Sequence, residues 1–147
     1  MKLLQYVGVW YEIARIPNFF QKKCQSNTTA EYILQDDGNI KVINRCMKSN
    51  GNFLTATGIA RVEDTQTFSK LKVSFVKFLG ANLFWGDYWI IGLDKDYQWV
   101  IVGDPGTKFG WILSRTASIP SETRETIDNI LKENGYLPER FVPTIQQ

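Results

Sequence analysis

Histidine is absent from this sequence. That removes Ser-His-Asp and Cys-His catalysis, histidine proton shuttles and every histidine-ligated metal site. Cysteine is scarce. Cys24 and Cys46 are the whole supply; they form no C-x-x-C pair, and without histidine they do not make a zinc site. On spacing alone they are either bridged or two buried thiols. No run approaches the roughly 18 apolar residues of a membrane-spanning helix. An excess of either charge is also lacking: 17 Lys and Arg face 15 Asp and Glu, a net +2. With no dense basic stripe, nucleic acid is not an expected partner. Met1-Lys2-Leu3-Leu4 begins like a secretory signal, but Gln5, Glu12 and the missing small-residue cleavage site argue against one. A signal removed before residue 1 would leave no trace, so the start does not fix the compartment.

Aromatic side chains are plentiful, with 5 Trp, 6 Tyr and 9 Phe in 147 residues. They suit walls that grip apolar ligands. The length fits one domain over residues 1–147, without linker, repeat or low-complexity segment. Such a chain buries about 70% of its unfolded surface and supports one real core.

Turn signals recur at short intervals, at Asp36-Asp37-Gly38-Asn39, Ser49-Asn50-Gly51-Asn52, Asp64-Thr65, Asp94-Lys95-Asp96 and Asp104-Pro105-Gly106. Between them lie alternating or β-branched and aromatic runs, the rhythm of an antiparallel sandwich or barrel. Eight strands are expected, near residues 10–16, 28–35, 40–47, 53–63, 71–76, 88–94, 99–103 and 109–116. In the fifth, Leu71, Val73 and Phe75 alternate with Lys70, Lys72 and Ser74, giving one dry and one wet face. The period changes after Pro120. Thr123, Ile127, Ile130 and Leu131 follow helical spacing, with Ser121 as expected N-cap and Gly135 at C′. The tail over residues 141–145 reads as a short extra strand.

Gly8-Val9-Trp10-Tyr11-Glu12-Ile13 opens the first strand, and Trp111-Ile112-Leu113-Ser114-Arg115-Thr116 closes the last. If the strands close into a barrel, these become neighbours. Arg115 then lies across the Trp10 indole and shuts one end, a contact worth roughly 0.5–2 kcal/mol. Glu12 shares the parity of Trp10 and points inward. It reads as a hydrogen-bond anchor near that closed end, or as a polar floor for a ligand headgroup. Asp36, Asp37, Asp94 and Asp96 are explained by turn chemistry.

Gly8-x-Trp10, Asp94 and Arg115 resemble, in order and spacing, the three signature regions of the lipocalins. The stretches 8–15, 37–44, 71–75, 111–116 and 141–147 resemble most the bacterial outer-membrane lipocalin and apolipoprotein D branch. At the second region only Asp94 matches, since Leu93-Asp94-Lys95 stands where the family often has Thr-Asp-Tyr. The resemblance implies an all-β fold: an eight-stranded up-and-down antiparallel barrel, or calyx, with one C-terminal α-helix packed outside. It also implies a bridge between Cys24 and Cys46. Such a bridge contributes roughly 3 kcal/mol and belongs to an oxidising compartment such as the periplasm. An outer-membrane lipid anchor is implied in the same way.

Within such a barrel, parity places Trp10, Ala14, Ala30, Tyr32 and Leu34 inward, then Val42, Asn44 and Ala60. Leu71, Val73, Phe75, Tyr88, Ile90, Trp111 and Leu113 complete the lining. The inward position of Ala60, with Gly58, follows from small residues in related sequences. Ala14, Ala30, Ala60 and Gly92 leave volume. Mostly apolar walls favour a lipid-like or flat hydrophobic ligand. A fatty acid or lysophospholipid is expected, carried without enzymatic turnover, with Lys22 and Lys23 as candidates for its headgroup. The resemblance implies a role in membrane maintenance. A bilin, retinoid or other pigment is the alternative ligand, and a barrel filled by its own side chains is the competing use of the space. An enzyme on a lipid and a module working through outward Ile33 and Ile59 are further classes. No metal or cofactor is expected. The apolar segment 78–85 reads as a self-covered loop, a wall of the mouth, a membrane-surface contact or a homodimer contact.

Overall fold

The computed structural model describes residues 1–78, 81–83 and 85–147, with side chains outside 76–84. A one-turn helix α1 (Leu3–Tyr6) precedes strand β1 (Gly8–Arg15). Then come β2 (Ser26–Leu34), β3 (Ile40–Met47), β4 (Phe53–Val62) and β5 (Lys70–Ser74). Short strands β6 (Val76–Phe78) and β7 (Ala81–Leu83) pair with each other. The chain continues through β8 (Gly86–Leu93), β9 (Trp99–Gly103), β10 (Gly110–Ser114), helix α2 (Ser121–Glu133) and β11 (Val142–Pro143).

The strands form one antiparallel sheet in the order β10-β9-β8-β5-β4-β3-β2-β1, and β1 also pairs with β10. Tyr11 faces Ser114 and Arg15 faces Trp111 across that closing seam. The sheet is therefore a closed eight-stranded barrel, which leaves no long unpaired edge. β11 adds a ninth strand outside, against Ala14 and Arg15 of β1.

Antiparallel order sorts the connections between two ends. Residues 35–39, 63–69 and 94–98 lie at the end where β1 starts, here called the base. Residues 16–25, 48–52 and 104–109 lie at the other, the mouth. α1 plugs the base: the Met1 ammonium donates to the Thr67 carbonyl at 2.8 Å, and the Lys2 amide to the Tyr97 hydroxyl at 2.8 Å.

Two apolar layers result. One fills the barrel, with Tyr6, Trp10, Tyr32, Ile40, Val42, Leu71, Val100, Val102 and Leu113. The other lies between barrel and helix, where Ile127 and Leu131 of α2 pack with Ile101, Ile112, Tyr136 and Phe141. The helix approaches so closely that a Cβ on Gly92 would meet Ile101 at 2.9 Å and Ile130 at 3.1 Å. α2 starts one residue earlier than capping by Ser121 requires. Pro120 is the N-cap, without a side-chain bond, and its carbonyl accepts the Arg124 amide. At the other end Gly135 adopts φ +82°, the Tyr136 amide donates to the Leu131 carbonyl and the Gly135 amide to Lys132. That is a Schellman closure.

Candidate functional site

The base is shut from within. Trp10 is fully buried, its indole N–H donating to the Tyr6 carbonyl at 2.8 Å. The Arg115 guanidinium lies 3.8 Å from the centre of the Trp10 ring. It also donates to the carbonyls of Val9, Gln5, Tyr6 and Val7 at 2.9–3.0 Å. These backbone acceptors lie around the passage from α1 into β1, and the Tyr6 carbonyl also accepts the Trp10 indole. Gly8 is required there: its φ is +110°, and a Cβ would stand 3.3 Å from Arg115 Nη1. Burial pulls the Arg115 pKa below its ordinary value, against an opposing pull from Tyr6.

Above this floor three tyrosines converge. Tyr88 donates its hydroxyl to Tyr32 at 2.7 Å and is also hydrogen-bonded to the Tyr6 hydroxyl. Tyr6 comes from α1 and escapes a strand-parity reading, because a four-residue helix has no period to detect. Burial raises the pKa of all three; Tyr32 rises to about 12. The cluster is neutral over the physiological range.

The wall changes character from base to mouth. Along β3 the inward positions Ile40 and Val42 are buried and Asn44 is half-buried. Along β4, Ala60 and Gly58 are buried and Ala56 is exposed. Leu71 is buried and Val73 half-buried, as are Tyr88, Ile90 and Trp111. Asn44 faces Ala56 directly across β3 and β4. Inward side chains thus become accessible toward the mouth. Tyr32, Val42, Ala60, Leu71 and Leu113 lie in the barrel cluster, with Val73, Tyr88, Ile90 and Trp111 packed on it.

Ala14 and Leu34, expected to line the barrel, and Gly92, expected to leave volume in it, are placed differently. Ala14 packs outside, with Ile112 and the helix layer. The register between β1 and β10 shifts between Glu12 and Ala14, and the extra residue turns Ala14 to the other face. The same happens in β8 between Ile90 and Gly92, so Gly92 faces the helix. Leu34 ends β2 beside the 35–39 turn and is exposed at the rim of the base. Phe75 keeps the expected face although it lies just past the end of β5: it is 39% exposed near the mouth, and its ring covers inward Gly58, where a Cβ would meet it at 2.6 Å. Inward Ile40, Val100 and Val102 were not on the expected lining, although the first shares the parity of Val42. The segment 78–85 lies partly outside the described residues.

Glu12 is only 2% exposed, and its partners belong to the mouth rather than the base. Its carboxylate accepts Arg15 Nη1 at 3.0 Å, Gln21 Nε2 at 3.1 Å and the Thr144 hydroxyl. Gln21 also accepts the Trp111 indole N–H at 3.0 Å. Glu12 thus ties the 16–25 loop and the C-terminal tail to the barrel and takes no part in the Trp10–Arg115 closure. Gln146 extends the tie by donating to the carbonyls of Glu12 and Thr28. Near it the Thr28 hydroxyl is buried without a hydrogen-bond partner among the described residues. Cys24 and Cys46 form a disulfide, Cα to Cα 5.4 Å, pinning the same loop to the end of β3. Asp37 and Asp94 are turn residues, accepting the amides of Asn39 and Gln98. Among the described residues no cluster of three His, Cys, Asp or Glu gathers to hold a metal.

A Lipocalin-like domain model matches residues 1–146. The chain belongs to the lipocalin family. Temperature-induced lipocalin-1 of Arabidopsis thaliana is 41% identical over 135 residues, 90% of this chain and 72% of that protein. Outer membrane lipoprotein Blc of Vibrio cholerae is 34% identical over 148 residues, 99% and 83% of the two chains. Apolipoprotein D of Macaca fascicularis is 31% identical over 150 residues, 97% and 76%. Among solved structures, the cockroach allergen Per a 4 superposes with a TM-score of 0.74 at 23% identity, over 100% of this lipocalin and 89% of that chain. Apocrustacyanin C2 does so with 0.74 at 21% identity, over 97% and 78%. These two establish likeness of fold. Among the described residues of this lipocalin no helix is long and apolar enough to cross a membrane.

Proposed function

We propose that this lipocalin carries a fatty acid or lysophospholipid in its barrel, without turning it over. The observation that supports this is the change along β3 and β4 from buried Ile40 and Ala60 at the base to half-buried Asn44 and exposed Ala56 at the mouth. An acyl chain entering there gains about 0.8 kcal/mol per buried CH₂ against apolar walls. The neutral tyrosine cluster ends the hollow with hydroxyls rather than charge, which suits the uncharged part of an amphiphile. Its headgroup stays at the mouth, within reach of exposed Lys22 and Lys23. The disulfide favours an oxidising compartment. Blc relatives are outer membrane lipoproteins by name, so we place this chain in the cell envelope with a part in membrane maintenance.

The second reading is a flat conjugated pigment or isoprenoid. Phe109 and Trp111 favour it: they stack at the mouth with planes 11° apart and centroids 6.1 Å apart. Calorimetric titration with lysophospholipid, alongside the visible absorbance of freshly purified protein, separates the two. Heat of binding with a colourless preparation supports the lipid; a coloured preparation that does not bind lysophospholipid overturns it.

A further inference from the structure

The two ends of the barrel carry opposite charge. At the base, residues 35–39, 63–69 and 94–98 hold Asp36, Asp37, Glu63, Asp64, Asp94 and Asp96 against Lys95, with Met1, Lys2 and Arg115 of the closure adding three cations and leaving the end net acidic. At the mouth, residues 16–25, 48–52 and 104–109 hold Lys22, Lys23, Lys48 and Lys108 against one carboxylate, Asp104. Asp104 is already engaged by the amides of Gly106 and Phe109. None of the four lysines takes part in an ion pair among the described residues.

The same end exposes its aromatics. Phe19 is 71% exposed, Phe53 64% and Phe20 50%. Phe19 and Phe20 stack edge to face, and Phe20 leans on Phe109 and Trp111, so the rings stand as one supported group. Phe53 lies at the same end, in register with Met47 just beyond the 48–52 turn. Side chains of this size exposed together mark a docking surface. Rings flanked by lysines have the composition of an interfacial anchor on anionic lipid.

We propose that the mouth docks on an anionic phospholipid bilayer, with Phe19, Phe20 and Phe53 in the acyl boundary and the four lysines among the phosphates. The acidic base then points away from the membrane, which fixes the orientation by repulsion as well as attraction. Docked this way, the hollow opens toward the bilayer. The proposal stands on the outer rim and charge, and is separable from carriage inside the barrel.

Vesicle co-sedimentation tests it, using phosphatidylcholine alone and phosphatidylcholine with one quarter phosphatidylglycerol. The chain should bind the anionic vesicles and release from them in 0.5 M NaCl, since exposed charges are screened there. Each lysine reversed, as in Lys22→Glu or Lys23→Glu, should weaken binding by about fivefold or more. Phe19→Ser with Phe20→Ser and Phe53→Ser should abolish it with an unchanged circular-dichroism spectrum. Asp36→Lys with Asp37→Lys at the base should leave it intact. Ala56→Trp, which fills the hollow, should still dock; its failure to take up lipid speaks to carriage alone. Equal or absent binding to both vesicles, or binding indifferent to the phenylalanines, overturns the proposal. So does sedimentation showing that the same phenylalanines hold a dimer that ignores vesicles.

Discussion

The guanidinium of Arg115 covers the indole of Trp10 at 3.8 Å while donating to four backbone carbonyls between Gln5 and Val9. One side chain thereby joins the last barrel strand to the plug that precedes the first. The fork is the reason arginine stands here: a lysine has one point charge and cannot span the acceptors while stacking. Arg115→Lys should cost about 2 kcal/mol of unfolding free energy, from the lost stack and unmet acceptors. Arg115→Met should cost more. Urea unfolding followed by tryptophan fluorescence measures both, and an unchanged midpoint would refute the role.

The hydroxyls of Tyr6, Tyr32 and Tyr88 predict a limit on stability in base. The folded pKa of Tyr32 is about 12, against an unfolded value near 10, and burial is the main cause. The folded state holds the proton more tightly, so this contribution is complete below pH 10 and is lost as pH rises from 10 toward 12. The loss for Tyr32 alone is roughly 3 kcal/mol. Absorbance at 295 nm should show Tyr6, Tyr32 and Tyr88 ionising only together with unfolding. Ionisation of these three while the near-ultraviolet circular dichroism persists would contradict this.

Reducing the Cys24–Cys46 bridge should lower stability by roughly 3 kcal/mol, the loop-closure effect of the 22-residue separation. The loss should fall on the mouth: the 16–25 loop, held otherwise by Arg15 and Glu12, should exchange its amides faster than α1. Hydrogen exchange with and without reductant reads this directly, and uniform acceleration would count against a local role.

Thr28 carries a buried hydroxyl with no partner among the described residues. Thr28→Val keeps the shape and removes the unmet group. It should stabilise the ligand-free protein by about 1 kcal/mol, visible as a higher Tm. A lower Tm would mean that the hydroxyl has a partner in solution.

Much of this architecture is legible in the sequence, for identifiable reasons. Turn residues at regular spacing and the alternation of Leu71, Val73 and Phe75 give the strands, and the change of period at Thr123 gives the helix. Gly8, Trp10 and Arg115 give the closure. Parity then fails at Ala14 and Gly92, each one residue past a register shift. A bulge reverses every inward assignment beyond it, and nothing in Ile13 or Ile91 announces one. Glu12 is read correctly as buried but assigned to the wrong end, because its partners Gln21 and Thr144 come from a loop and a tail that lack periodicity. Tyr6 is hidden for the same reason.

Native mass spectrometry of the purified protein tests the carrier account most directly. The account predicts a second species heavier by one acyl lipid, or one formed at equimolar added lysophospholipid, and lost in Ala56→Trp. A protein that shows only its own mass under both conditions would contradict it.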